Sequence, residues 1–395
     1  MTVAAITFAY SLRRRRSPPL PPGPRGLPIV GNILDLRTTN SWLNFAKLGE
    51  DWGEISSLTV LGQTMIIVNS LKIAEDLLET RGANFSDRPE MPMAGELGGF
   101  DNVLILSQCG DRVKQERKLF HQLFGSSTSI ITHFGSLLTS EVQKFLQNIL
   151  DKPENALNQI WRLTGAITLR IVYGYHIVPE PEQDGFLEMF NRVTVNFSRT
   201  AAPGAFLVNI IPALRYWPEW LPGGGFHTIA KECSKQLHRT VDTSFEYVKE
   251  QIATGTVEPS FTANLLEGFH DEYLIKWTAV TIRGEAETTA AQITAFFLAM
   301  SLYPKVQAAA QKEIDTVVGK DRLPDISDRE RLPYMNALCK EVLRYYVAVP
   351  TGIFELVGVP HRARGDFIYE RGEEAPPMFI PEALCGHRKY LENDS

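Results

Sequence analysis

The chain has 395 residues, of which 44% are hydrophobic and 22% are charged, and its formal net charge is −6. This composition supplies ample apolar material for a large core and does not indicate disorder. The negative balance gives no general attraction to nucleic acid, so we expect no nucleic-acid partner.

The cysteines are few and widely spaced, and none forms a C-x-x-C pair. This spacing argues against a disulfide framework or a zinc site and favours a reducing compartment. The motifs of zinc peptidases, serine hydrolases, phosphate-binding loops and dinucleotide-binding folds are also absent. We therefore predict no metal site built from protein side chains. The cysteines are Cys109, Cys233, Cys339 and Cys385.

The first element in chain order is a short apolar terminus, residues 1–12, followed by four arginines, Arg13–Arg16. Twelve helical residues span about 18 Å, less than the roughly 30 Å of a bilayer core. A signal peptide would carry its positive charges before the apolar stretch. Two interpretations stay open: a terminal membrane anchor with the rest of the chain on the cytoplasmic side, or a disordered basic tail. The prolines that follow predict a stiff hinge over residues 13–36.

Beyond this hinge, a small β part precedes a series of helices. Ile55–Val60 and Gln63–Val68 are β-branched or alternate in polarity, and Leu61-Gly62 between them predicts a hairpin. Apolar residues then recur with helical spacing, without an internal repeat or flexible linker. The sequence thus predicts one mainly α domain with a small β part. The predicted helices are Gly110–Leu123, Phe134–Leu150, Asn158–Tyr173, Ile229–Thr254, Leu274–Tyr303, Pro304–Val318 and Pro333–Tyr346.

Residues 202–226 form a second apolar segment, rich in aromatic and branched side chains and interrupted by prolines. Trp217 and Trp220 suit a membrane interface, where one edge of the indole ring stays hydrated. Burial in a core is the alternative interpretation for each of these residues.

Three local patterns contain polar residues that are candidates for chemistry. Glu341 and Arg344 stand at i and i+3 on one helix face. They could form either a surface ion pair, which contributes little to stability, or a buried one. Glu287 and Thr288 place a carboxyl beside a hydroxyl in an apolar helix, either to relay protons or as a polar helix face. Residues 110–117 form a charged helix start that binds an anion or is simply solvated.

In this order along the chain, the patterns resemble the cytochrome P450 family, the haem-thiolate monooxygenases, and its fungal membrane-bound members in particular. They match the family's proline hinge, the stretch before its haem-propionate helix, its oxygen-activating helix and its E-x-x-R helix. The resemblance runs from the hinge to about Arg362. The motifs that carry it are Pro21-Pro-Gly-Pro24, Leu27-Pro-Ile-Val-Gly-Asn32, Phe85-Ser-Asp-Arg-Pro89, Gly110-Asp-Arg112, Glu287-Thr-Thr289, Leu332-Pro-Tyr-Met-Asn-Ala337, Glu341–Arg344 and Pro360-His-Arg362.

The resemblance implies a haem cofactor and roles for residues that would act around it. Glu287 and Thr288 match the acid–alcohol pair that delivers protons to iron-bound dioxygen. Arg117 and Arg362 match arginines that bind the haem propionates, since the arginine fork suits carboxylates.

The resemblance also implies an activity, partners and a location. The activity is insertion of one oxygen atom from O2 into a small apolar substrate. The partner is cytochrome P450 reductase, which passes on electrons from NADPH. The location is the cytoplasmic face of the endoplasmic reticulum membrane. A role in secondary metabolism fits fungal members.

Glu341 and Arg344 match the structural pair that braces the haem-binding core. Residues 37–395 would then form an incomplete family domain behind an anchor remnant, 1–12, and the hinge, 13–36.

Several residues depart from the family pattern. Val113 stands where the propionate helix carries a tryptophan, and Arg283 and Glu285 replace small residues before the acid. Arg283 and Glu287 are four residues apart on one helix, so we expect them to form an ion pair that withdraws the acid from proton relay.

The largest departure lies after Arg362. The family continues with a glycine-rich F-x-x-G-x-R-x-C-x-G loop whose thiolate binds the iron, and Cys385 lacks this setting. We therefore expect a P450-like fold that is incomplete at the C-terminus. The alternative function is a non-catalytic truncated fragment without the axial cysteine, at most a ligand- or membrane-binding remnant.

Overall fold

The computed structural model describes residues 19–36, 41–125, 127–202, 204–268, 271–284, 286–350, 355–356 and 377–379. They form two compact units. One holds the described residues up to Pro89 together with Pro350 and two short strands, and the other holds Glu90–Val349. The described residues are mainly helical with a small sheet, which confirms the predicted fold class.

The first unit is built around a four-stranded sheet of β1 (Ile55–Val60), β2 (Gln63–Val68), β3 (Glu355–Leu356) and β4 (Pro377–Phe379). The strand order is β1-β2-β4-β3, in which β1 and β2 form an antiparallel hairpin and β4 lies parallel to β2. A π-helical turn, Asp76–Thr80, joins two of its short helices. The elements are α1 (Ser41–Trp52), β1 (Ile55–Val60), β2 (Gln63–Val68), α2 (Leu71–Glu75), α3 (Gly82–Phe85), β3 (Glu355–Leu356) and β4 (Pro377–Phe379).

The hairpin has the bounds that the sequence predicts. Leu61 and Gly62 both have positive φ angles, 49° and 90°, which is the mirror-image turn that matches the twist of paired strands. Alternate side chains of β1 and β2 then point to one face, and Phe45 and Leu48 of α1 are buried against it.

The second unit is helical. Its helices are α4 (Asp111–Phe124), α5 (Ser127–Asp151), α6 (Ala156–Tyr173), α7 (Gly185–Ala201), α8 (Phe226–Thr254), α9 (Phe261–Gly268), α10 (Glu272–Gly284), α11 (Ala286–Leu302), α12 (Pro304–Val317) and α13 (Pro333–Tyr345).

Helix α6 lies at the centre of this unit and packs against α5, α7, α8, α9, α10 and α11. It is capped at its C-terminal end by Gly174, whose φ of 65° permits the left-handed conformation. Asp184 caps the N-terminal end of α7, where its carboxylate accepts a hydrogen bond from the Leu187 amide at 2.8 Å. The two helices approach closely at Gly165, where an added Cβ would lie 2.3 Å from Leu187 Cδ1.

The predicted helices are confirmed with shifts of a few residues at their ends, the largest at the start of α5. Helices α1, α7 and α9 and the short helices α2 and α3 are not among the predicted helices. The predicted long helix Leu274–Tyr303 is described in two segments, α10 and α11, on either side of Glu285, which lies outside the described residues. No helix in the described ranges is both long and apolar enough to cross a bilayer. Residues 1–12, on which the anchor prediction depends, also lie outside those ranges.

Candidate active site

The acid–hydroxyl pair occupies the first turn of α11, where Glu287 and Thr288 are half-buried between the buried Ala286 and Ala290. Burial raises the pKa of the Glu287 carboxyl above its usual value, while the hydroxyl of Thr194 and the charge of Arg283 oppose that shift. The balance keeps the proton on Glu287 to higher pH than for an exposed glutamate. A carboxyl in this state suits proton donation.

Arg283 lies one turn before Glu287, in the last turn of α10, with only 2% of its surface exposed. Its guanidinium carbon is 5.0 Å from the centre of the Phe190 ring. Burial lowers the pKa of Arg283 to about 10, and the charge of Glu287 and the phenol of Tyr173 offset part of that effect. Since this value remains well above neutrality, the side chain stays cationic at physiological pH.

The expected ion pair between Arg283 and Glu287 is not formed. Within the residues that the structure describes, no acidic oxygen lies within 4.0 Å of an Arg283 nitrogen, and its Nε has no hydrogen-bond partner. The guanidinium instead lies over Phe190 of α7, and the nearby Thr194 hydroxyl of the same helix favours the ionised form of the Glu287 carboxyl. Packing against α7 has prevailed over the local attraction at i and i+4.

On α4 the two arginines of the charged helix start differ in their contacts. Arg112 donates from Nε to Glu116 Oε1 at 2.8 Å and also binds Asn102, so it ties the helix to the preceding turn. Arg117 is exposed and, among the described residues, has neither an ion pair nor a hydrogen bond from its side chain. Val113, at the tryptophan position of the family, is buried. Arg117 is therefore available to an anionic ligand, whereas Arg112 is engaged.

On α13, Glu341 and Arg344 form a bidentate pair. Arg344 Nε donates to Glu341 Oε2 at 2.7 Å, and a terminal nitrogen donates to the other carboxylate oxygen. The side chains are 27% and 32% exposed respectively, so the pair lies between the surface and buried alternatives. Leu338 and Val342 of the same helix are buried in a cluster with residues of α11 and α12.

The cysteines in the described ranges lack the usual features of an iron ligand. Cys109 and Cys339 are exposed, and burial raises the pKa of the Cys233 thiol, which disfavours a thiolate. No group of three or more His, Cys, Asp or Glu side chains suited to a metal ion occurs within these ranges. Arg362 and Cys385, both singled out in the sequence, lie outside them.

The structure therefore brings together Glu287, Thr288 and Arg283 with two residues that sequence reasoning missed. Thr194 comes from α7 and Tyr173 from α6, about 90 and 110 positions earlier in the chain. Tyr173 ends a predicted helix, which indicates burial but no partner, and Thr194 lies on α7, a helix that the sequence does not predict. Within the described ranges, no hydrogen bond or ion pair links this group to the arginine on α4 or the pair on α13.

Comparisons with known proteins identify the family to which the chain belongs. A sequence profile of the family described as cytochrome P450 matches residues 21–369. The chain belongs to the cytochrome P450 family.

Relatives within the cytochrome P450 family come from several fungi. Cytochrome P450 monooxygenase 208 of Postia placenta is 40% identical over 356 residues, 89% of this chain and 69% of the relative. Cytochrome P450 monooxygenase claR of Ampulloclitocybe clavipes is 42% identical over 365 residues, 91% of this chain and 66% of the relative. Cytochrome P450 monooxygenase ppsD of Aspergillus oryzae is 38% identical over 362 residues, 89% and 67% of the two chains. The chain thus spans about two thirds of the length of these relatives.

The cytochrome P450 family implies a haem, and the described residues fit part of its surroundings. Arg117, exposed and without a partner in the described part of the chain, suits a propionate carboxylate. Glu287 and Thr288 supply a carboxyl of raised pKa beside a hydroxyl. The described cysteines do not offer a convincing thiolate, so this ligand would come from residues outside the described ranges.

Proposed function

We propose that this protein is a haem-dependent monooxygenase that inserts one oxygen atom from O2 into a small apolar organic substrate. Membership of the cytochrome P450 family supports the reaction class. The observation that carries the proposal is the half-buried Glu287 carboxyl, whose pKa is raised by burial and which lies beside Thr288 at the start of an apolar helix. A protonated acid next to a hydroxyl is the arrangement that proton delivery requires.

Each residue of the site has a proposed task. Glu287 donates a proton, and the Thr288 hydroxyl, which both accepts and donates, passes it towards the reacting centre. Arg117 and Arg362 bind the propionates. When bound, the haem supplies the activation of dioxygen, with electrons that pass from NADPH through cytochrome P450 reductase.

The remaining proposals concern architecture. Glu341 and Arg344 brace the haem-binding core from α13, which their bidentate geometry supports. Residues 1–12, 13–36 and 37–395 act as terminal anchor, hinge and family domain. The rival proposal, a non-catalytic remnant that binds only an apolar ligand or a membrane, is an outcome of the experiment below.

The decisive experiment is the spectrum of the reduced carbon-monoxide complex. The complete transcript should be sequenced past the codon for Ser395, and its product should be expressed beside the 395-residue chain. We expect an in-frame F-x-x-G-x-R-x-C-x-G loop and a thiolate-type band for the complete product. Arg117→Ala should retain less haem than Lys118→Ala, a neighbouring exposed cation on the same helix. A confirmed stop after Ser395 and no band would instead support the remnant.

An exposed aromatic group between α7 and α8 supports contact with a membrane surface. Tyr216 and Trp220 are 79% and 81% exposed, and Trp217 is partly exposed, so these rings do not adopt the alternative position in the core. Such rings are favoured at the boundary between water and lipid. We propose that they and the apolar terminus hold the protein to the cytoplasmic face of the endoplasmic reticulum.

Replacing Trp217 and Trp220 by serine should therefore lower vesicle binding in a flotation assay several-fold. Trp161→Ser is the matched control, because that indole is 41% exposed, close to the 42% of Trp217, but lies on α6. Deleting residues 1–16 should lower membrane partitioning further. Unchanged partitioning after this deletion would show that the terminus is not an anchor.

A further inference from the structure

Helices α7 and α8 carry a local excess of positive charge in a chain whose formal net charge is −6. Within α8, Lys231, Lys235 and Arg239 recur at every fourth position, so they lie along one face of the helix. All three side chains are exposed, as is Arg199 of α7. We call these four residues the basic strip. Over residues 185–241 the cations are Arg192, Arg199, Arg215, Lys231, Lys235 and Arg239, and the acids are Glu188, Glu219 and Glu232.

Most of the basic strip has no partner. Arg199, Lys235 and Arg239 make no ion pair and no side-chain hydrogen bond with any residue that the structure describes. Glu232 is the remaining unpaired acid of this region, so it offsets part of the charge. The other charged groups are bound as Glu188 with Arg192, Glu219 with Lys231, and Glu90 and Glu96 with Arg215.

The basic strip follows the seam between two antiparallel helices. Asn196 of α7 donates a hydrogen bond to Gln236 of α8 at 2.9 Å. One turn away, Arg192 of α7 and Arg239 of α8 line the same open groove, which has a volume of about 150 Å³. Arg199 follows Asn196 by three residues, so it lies towards the other end of the seam. Both helices therefore present cations along one surface.

The basic strip adjoins the exposed aromatic group between α7 and α8. Glu219, which stands between Trp217 and Trp220, pairs with Lys231 and accepts a hydrogen bond from Thr228 Oγ1 at 2.9 Å. These bonds hold the aromatic loop against the first turns of α8, where the strip begins. Aromatic rings favour the headgroup level of a bilayer, and long cationic side chains beside them reach its phosphates.

We propose that the basic strip binds the phosphates of anionic phospholipids, so that the protein prefers a negatively charged bilayer to a neutral one. The proposal rests on the proposed membrane contact of Trp217 and Trp220. The rings provide affinity for any phospholipid surface, whereas an unpaired cation adds affinity only where that surface is negatively charged. The position of the strip beside the rings favours a lipid partner over an acidic protein.

Flotation of the full chain with two kinds of vesicle tests this proposal. One kind is phosphatidylcholine alone, and the other contains about one third phosphatidylserine. At about 50 mM salt, the triple variant Arg199→Gln, Lys235→Gln and Arg239→Gln should bind the anionic vesicles roughly tenfold more weakly than the parent. Its binding to neutral vesicles should be unchanged. At about 1 M salt, where charges are screened beyond about 3 Å, the two proteins should bind alike.

The matched control is Lys305→Gln, Lys312→Gln and Lys320→Gln, which removes the same charge from exposed lysines in or beside α12 that have no partner among the described residues. It should keep the affinity of the parent for anionic vesicles. An equal loss in the control would show that net charge alone matters and would overturn the proposal. So would a triple variant that keeps its affinity for anionic vesicles but no longer binds polyglutamate, which would indicate an acidic protein partner.

Failure of the proposed membrane contact would look different. In that case, serine at positions 217 and 220 would leave binding to phosphatidylcholine vesicles unchanged, whatever the cations do. Because the rings and the cations are changed in separate variants and read on separate vesicles, the two failures are distinguishable.

Discussion

Leu169→Ala should reduce the free energy of unfolding of the helical unit by about 2–5 kcal/mol, one of the two largest effects that we expect. Leu169 is on the central helix α6, has no exposed surface and belongs to the main hydrophobic core, with residues from α4, α7, α8 and α10. The substitution removes buried methyl and methylene groups and leaves a cavity whose lining loses its dispersion contacts.

The same helix provides the control. Leu157→Ala makes the same chemical change at a side chain that is 61% exposed, near the start of α6. We expect its unfolding free energy to stay within about 0.5 kcal/mol of the parent value. Urea titrations followed by far-ultraviolet circular dichroism would compare the two. Similar losses for both variants would mean that α6 is not the centre of the core.

Glu287→Gln should lower the rate of product formation by roughly 10²-fold in the complete haem-loaded protein. The rate of electron consumption should fall by less. The amide keeps the shape of the side chain but has no acidic proton to give. Burial raises the native pKa of Glu287, so the acid form that donates is lost only as pH rises through this elevated value. Turnover of the parent protein should therefore fall over that range, and turnover of the variant should not.

A matched acid separates this effect from a general loss of negative charge. Glu272→Gln changes an exposed carboxylate at the start of α10, which pairs with Lys249 at 3.2 Å. It should leave both the product yield per electron and the pH profile unchanged. An unaltered product yield in the Glu287 variant would remove this residue from the proposed relay.

Local signals in the sequence were enough for much of the fold. The hairpin was predicted with its bounds because Leu61-Gly62 suits a two-residue turn between two alternating runs. Helix α7 was missed, because Thr194, Val195 and their asparagine neighbours are poor helix formers, and packing on α8 stabilises the helix instead. Strand β4 is three residues long and pairs with β2 about 310 positions away, which no local pattern indicates.

The candidate site was predictable only along the helix that contains it. The motif placed Glu287 and Thr288 together, and the structure adds Thr194 from another helix. The spacing of Arg283 and Glu287 predicted an ion pair, but spacing does not determine rotamers, and the ring of Phe190 holds the guanidinium elsewhere. Their roles, and those of Arg117, Glu341 and Arg344, stay predictions until the experiments above are done.

The close approach of α6 and α7 has a consequence for how this protein can evolve. An added Cβ on Gly165 would lie 2.3 Å from Leu187 Cδ1, closer than van der Waals contact allows, and at an ordinary contact distance of 3.6 Å from Arg283 Nη2. Any side chain at position 165 would therefore require Leu187 to move, and one larger than alanine would also crowd the guanidinium. We therefore expect positions 165, 187 and 283 to change together when lineages of this protein diverge, with a bulkier residue at 165 accompanied by a shorter, uncharged one at 283.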